Sequence, residues 1–133
     1  MSASEIVEAY LAAFNRGDTD VMLGLVSEDI AHHVNESGVR TGKEAFADFN
    51  AHMTRCYRES LEDILVFPSA DPTRAAAEFT VCGEYLATDT GLPKAIGQTY
   101  KLPAGTFFTV TGGKISRITT YYNLRNWIAQ VSV

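Results

Sequence analysis

With 133 residues, 46% hydrophobic and 20% charged, the chain has the length of one domain and enough apolar matter for an ordinary core, which excludes disordered and fibrous classes. Its formal charge of −5, without a run of lysine or arginine, leaves no electrostatic footprint for nucleic acid or an anionic membrane. No apolar stretch approaches the roughly 18 residues of a spanning helix, and "MSASEIVEAY" lacks the basic start and apolar block of a secretory leader, so a cytoplasmic protein is expected.

In "ASEIVEAYLAAFNRGD" the apolar residues Ile6, Val7, Tyr10, Leu11 and Phe14 recur at helical spacing, with Ser4 as N-cap and Asn15 to Gly17 as the stop. "DTDVMLGLV" starts a short second helix from Asp18. "DIAHHVN" reads as a strand and "ESGVRTG" as a turn-rich loop. Thr41 then caps a third helix through "GKEAFADFNAHMTRCY", with Ala45, Phe46, Phe49, Met53 and Tyr57 along one side.

After residue 60 the apolar period falls to two. "LEDILVFP" is a strand stopped by Pro68, and "SADPT" a turn. "RAAAEFTVCGEYLA" is a long strand with Ala77, Phe79, Val81, Gly83 and Tyr85 on one face and Glu78, Thr80, Cys82 and Glu84 on the other. Residues 88 to 97 form a connection. "QTYKLPAGTFFTV" follows as a strand with a bulge expected at Pro103 to Gly105. "TGG" turns into the last alternating strand, "KISRITTYYNL", and "RNWIAQV" fits either a helical turn or a strand tail. Three helices followed by four strands, with one strand inserted early, is an α+β layout. An antiparallel sheet with helices on one face, bent by bulges, encloses a pocket. Cys56 and Cys82 have no metal-binding spacing and are expected to be reduced thiols.

"EAYLAAFNRGDTDVMLGLVSEDI", the short polar strand after it, the "GKEAF" helix start and the ending "GGKISRITTYYN" together resemble the NTF2-like superfamily, in its ketosteroid isomerase and SnoaL-like branch. The resemblance covers nearly the whole chain. It implies one cone-shaped, cystatin-like domain over 1–133, with three N-terminal helices on a curved, mostly antiparallel sheet. Ketosteroid isomerase works with an aspartate base and an oxyanion hole of a tyrosine and a protonated carboxylic acid. The first-helix tyrosine of that family corresponds to Tyr10. Its base falls on Val34 or His33, depending on the end counted from, and its second acid falls near Gly105. Neither acid is present, so steroid isomerisation at speed is not expected.

On a strand His33 and Asn35 share one face, and His32 joins Ile30 and Val34 on the other; adjacent histidines so placed cannot chelate one metal. Neither a metal nor a cofactor is expected. An imidazole such as that of His33 suits proton transfer, while Asn35 and Tyr10 could polarise a carbonyl. A bland role for His33, bonded to a backbone carbonyl at the rim, stays open, as does which of the two histidines faces the pocket. The aromatic set Tyr57, Phe79, Tyr85, Tyr100, Phe107, Phe108, Tyr121 and Tyr122 could line a cavity for a flat apolar molecule, because a sealed core would leave the tyrosine hydroxyls to satisfy. The expected substrate wall comprises His32, Tyr57, Phe79, Val81, Tyr85, Phe107 and Tyr122, with Asn123 at the mouth.

Most acids belong to helix starts and exposed faces, Glu78 and Glu84 among them, and no carboxylate pair has a spacing that argues for shared proton work. Asp63 and Arg125 could form a hydrolytic network like that of epoxide-hydrolysing relatives. The expected function is cofactor-independent isomerase, cyclase or lyase chemistry by proton transfer on a small apolar carbonyl compound of steroid, terpenoid or polyketide type. The alternatives are a non-catalytic small-molecule binder and an interaction module with a filled pocket. A homodimer through the outer sheet face is expected.

Overall fold

The computed structural model describes residues 1–133. Helix α1 (Ala3–Arg16) is capped by Ser2 rather than Ser4. The Ser2 hydroxyl accepts from the Glu5 N–H at 3.2 Å and the Glu5 carboxylate accepts from the Ser2 N–H at 3.0 Å, so two orphan donors are satisfied reciprocally. Gly17 ends the helix in the left-handed conformation, φ 70°, where a side chain would be strained. Helix α2 (Thr19–Leu25) starts from Asp18, as its sequence predicts.

Strand β1 (Val26–Val34) pairs with a short strand β2 (Val39–Thr41), in the segment read as loop. At three residues β2 is too short for a periodic signal. Helix α3 (Lys43–Cys56) begins at Gly42, φ 103°, with no side-chain cap, so Thr41 is a strand residue and not a cap. Strands β3 (Tyr57–Pro68), β4 (Arg74–Tyr85), β5 (Thr99–Thr111) and β6 (Lys114–Tyr122) then form a meander, and helix α4 (Leu124–Val131) closes the chain. Asn123 caps α4, accepting from the Asn126 N–H at 2.9 Å. The helix count is therefore four.

The sheet runs β2-β1-β6-β5-β4-β3, antiparallel except for the β1–β6 pair. The β4–β5 ladder is unbroken from Arg74↔Thr109 to Glu84↔Thr99, so the bulge expected at Pro103 to Gly105 is absent. Irregularities fall instead between Glu62 and Leu65, between Val26 and Ala31, and between Thr109 and Val110. Asp63 carries φ 53° at the first of these, and bulges of this kind bend a strand and raise its twist. Just before that bend the Asn15 side chain clamps Leu61, accepting from its N–H at 2.8 Å and donating to its carbonyl at 3.0 Å.

All helices lie on one face of the sheet: α1 crosses β3, β4 and β5, α3 covers β1, and α4 rests on β5. Two buried clusters result. The larger joins Ile6, Val7 and Leu11 of α1 to Phe46, Phe108 and Ile118. The smaller gathers Cys56, Tyr57, Tyr85, Tyr100, Leu102 and Trp127 beneath α4. No helix is long and apolar enough to cross a membrane.

Candidate active site

Between the helices and the concave face of the sheet lies a cavity of about 860 Å³, within the range of small-molecule sites. Leu61, Phe79, Val81, Leu102, Phe108 and Ile118 supply much of its apolar wall. Of the residues singled out by sequence, Tyr10, His32, Asn35, Tyr57, Phe79, Val81 and Tyr122 line it.

Four do not, each for a local reason. His33 points to the outer face, where strand alternation sends it, with its ring 6.4 Å from that of Tyr121. The shared face expected for His33 and Asn35 is broken because Asn35 leaves the strand at φ 52°, a left-handed conformation that asparagine tolerates. Asn35 turns inward, its Oδ1 accepting from the Tyr122 N–H at 3.4 Å. Phe107 is 44% exposed on the outer face. Tyr85 is sealed in the smaller cluster, and Asn123 is spent as the α4 cap. Val34, one of the two positions matched to the family's base, lines the cavity. Asp63 and Arg125 are exposed and neither reaches the cavity, so no hydrolytic network is assembled.

Besides Glu36, which is exposed, two cavity acids escaped the sequence reading. Glu59 follows Tyr57 and precedes Leu61 on the inward face of β3, and its Oε2 accepts from the Tyr100 hydroxyl at 2.6 Å. That bond spans two strands. Glu59 pairs with Gly83 and Gly83 with Tyr100, and the Tyr100 ring lies where a Gly83 side chain would be. Burial raises the Glu59 pKa; the Tyr100 bond opposes this without cancelling it.

Asp89 comes from the 88–97 connection. The Tyr85 hydroxyl draws this loop in, donating to the Pro93 carbonyl at 2.6 Å and accepting from the Asp89 N–H at 2.9 Å. The Asp89 carboxylate accepts from the Tyr57 hydroxyl at 2.7 Å and meets His52 Nε2 at 2.8 Å. Burial pushes its pKa up, but the bonds from Tyr57 and His52 outweigh that and hold it below the ordinary value. The two cavity carboxylates are thus tuned in opposite directions.

His52, Cys56 and Asp89 place one potential ligand atom each within 4.8 Å of one another, a cluster of metal-ligand types. Its protons argue against a metal. Arg55 can only donate, and its Nη2 lies 2.9 Å from His52 Nδ1, so Nδ1 accepts and Nε2 carries the hydrogen given to Asp89. A metal on Nε2 would displace that hydrogen onto Nδ1, against the guanidinium. The cluster is a hydrogen-bonded chain from Arg55 through His52 to Asp89.

The remaining polar groups are donors. The Tyr10 hydroxyl is buried in the cavity wall, and burial pushes its pKa up, so it keeps its proton. His32 is 5% exposed, edge-on to Phe46 and Phe49, and its Nδ1 has no hydrogen-bond partner. Burial, then the charge of Arg40, lowers its pKa to about 4. It is neutral at pH 7.

A bent α+β sheet wrapped by helices around an apolar cavity with a few tuned polar groups defines the NTF2-like class of domain. The chain belongs to the SnoaL-like family: the SnoaL-like domain matches residues 7–118. It is 57% identical to a candidate polyketide cyclase from Pseudomonas putida KT2440, over 99% of both chains with a TM-score of 0.97. A candidate polyketide cyclase from Silicibacter sp. TM1040 is 60% identical, over 97% of this chain and 94% of that one, TM-score 0.95. A third, from Xanthomonas campestris pv. campestris, is 52% identical over 98% and 96%, TM-score 0.94. No curated protein matches the chain significantly.

Proposed function

We propose that the protein is a cofactor-independent enzyme that moves a proton on a small, largely apolar carbonyl compound, as an isomerase or cyclase does. The observation that carries this reading is the pair Glu59 and Asp89: two cavity carboxylates on tyrosine hydroxyls, one with raised and one with lowered proton affinity. Such a split assigns roles. Asp89 stays ionised and fixes Tyr57. Glu59 has the affinity suited to take a proton from the carbon next to a carbonyl. The electron pair of the broken C–H bond moves onto the carbonyl oxygen, where Tyr10 and Asn35 donate hydrogen bonds to the developing charge. The enolate then collapses in one of two ways. Returned to a different carbon, the proton on Glu59 completes an isomerisation; attack by the enolate carbon on a second carbonyl closes a ring, and the alkoxide so formed takes the proton back from Glu59. The relatives described as candidate polyketide cyclases support the second outcome.

The role first given to His33 passes to Glu59, since His33 is outside the cavity. We also propose a homodimer through the outer sheet face, where Phe67, Phe107 and Tyr121 are 46%, 44% and 52% exposed.

The test is hydrogen–deuterium exchange at the carbon next to the carbonyl, after a thermal-shift screen of polyketide-like, terpenoid and steroid ketones. Wild-type protein is expected to exchange the hits, and Glu59→Gln to be slower by about 10² or more. Equal rates in the two proteins overturn the assignment of the base. Binding of hits without any exchange turns the protein into a binder.

A further inference from the structure

Three arginines line the cavity. Two are already paired, Arg16 with Asp18 and Arg58 with Glu84, each at 3.6 Å. Arg40 of β2 has no carboxylate partner. Its guanidinium carbon lies 4.3 Å from the centre of the Phe49 ring, and its only side-chain hydrogen bond, to Ser37 Oγ, is long at 3.4 Å. Glu36, the acid nearest in sequence, is exposed and forms no ion pair with it.

Around this unpaired cation the wall holds further polar atoms without partners. His32 is the register partner of Arg40, and both rings and charge meet on Phe49: imidazole edge-on at 4.8 Å, guanidinium over the face. Asn50, the next residue of α3, also lines the cavity, and its Nδ2 is a buried donor without a partner. His32 Nδ1 is likewise unpartnered in a side chain only 5% exposed. Buried polar atoms are costly to leave unpaired, and two of them stand beside a guanidinium with no carboxylate, which is where an acceptor carrying negative charge would be held. Of the three acids that line the cavity, Glu36 is exposed and unpaired with Arg40, and Glu59 and Asp89 lie elsewhere, on β3 and in the loop that contacts the end of α3.

We infer that the substrate bears a carboxylate, seated among Arg40, Asn50 and His32, with its reacting carbon toward Glu59. A guanidinium offers a carboxylate two parallel donors, the geometry that makes such pairs strong and directional. The substrate is therefore a keto acid, its acid group on the guanidinium of Arg40 and its carbonyl side within reach of Glu59. This departs from the neutral ketone that the sequence suggested. It rests on the cavity being a proton-transfer site, and names the substrate of that site.

The test compares two planar bicyclic probes by calorimetry, 2-naphthoate and its neutral counterpart 2-acetylnaphthalene. Wild-type protein is expected to bind the acid at least tenfold more tightly. Arg40→Gln should lose most of that preference while binding 2-acetylnaphthalene unchanged, and Arg40→Lys should regain part of it. Asn50→Asp, which sets a fixed negative charge against the bound one, should abolish the preference even if Arg40→Gln fails to fold. Glu59→Gln should keep it, so a loss of exchange chemistry and a loss of acid recognition are read separately. Equal affinity for the two probes, no binding of 2-naphthoate, or an undiminished preference in Arg40→Gln or Asn50→Asp overturns the proposal.

Discussion

His32 sits between the rings of Phe46 and Phe49 with one nitrogen unpartnered, and only the neutral imidazole is tolerated there. Its folded pKa, about 4, lies below the ordinary 6.5. Above pH 6.5 both folded and unfolded chains hold it neutral and it adds no pH dependence. Below that the unfolded chain binds the proton first, so stability falls as pH drops toward 4. The linkage amounts to about 2 kcal/mol between pH 7 and pH 5. His32→Phe, which cannot titrate, should lose about 2 kcal/mol less than wild type over that interval in urea unfolding. Equal losses in the two proteins would show that His32 is solvated. The neighbouring histidine shows how much was legible: strand alternation separates His32 from His33, but which faces inward depends on the register of β1 against β2 and β6, a long-range pairing. Asn35 was assigned to the face of His33 because a positive φ at a non-glycine residue leaves no mark in the sequence.

The elements were read well where their periods are long. Helix α1, helix α3 and strand β4 follow the apolar spacing, whereas β2 and α4 are too short, or too ambiguous, for a period to settle. The two cavity acids divide along the same line. Glu59 had a signal, since Tyr57, Glu59 and Leu61 alternate, but it is seen only once α3 is known to stop at Cys56. Asp89 had none, because the Tyr85 hydroxyl, not local sequence, brings its loop to the cavity. The register across β3, β4 and β5 makes Gly83 a device of three strands: it clears the path by which Tyr100 reaches Glu59. Tyr100→Phe removes the one contact that lowers the Glu59 pKa, so that pKa should rise. A base must be ionised to act, and the acid limb of the exchange rate should move to higher pH. Gly83→Ala should move it the same way and also cost about 1–3 kcal/mol in denaturant unfolding, because a Cβ there overlaps the Tyr100 ring. An unmoved limb in Tyr100→Phe would mean that Glu59 is not the titrating base.

At the scale of the whole molecule the sheet has two unlike faces. The concave one carries Leu102, Ala104, Thr106 and Phe108 of β5 into the cavity; the convex one carries the alternate residues, Phe107 among them. Phe107 and Tyr121 meet edge-on at 5.9 Å, and Phe67 lies on the same sheet beyond Ala76, which pairs with both Phe67 and Phe107. Aromatic rings in a contiguous exposed patch are favourable to bury against a second copy, which presents the identical patch under two-fold symmetry. Sedimentation should therefore give a species of twice the 14.5 kDa chain mass at micromolar concentration. The double variant Phe107→Asp, Tyr121→Asp should sediment as a monomer, since like charges then face one another across the axis. Neither side chain touches the cavity, so binding of 2-naphthoate should be unchanged in the monomer. A wild-type chain that stays monomeric would remove the dimer and leave the cavity chemistry intact, because the bend that holds the cavity open comes from irregularities within the chain's own strands.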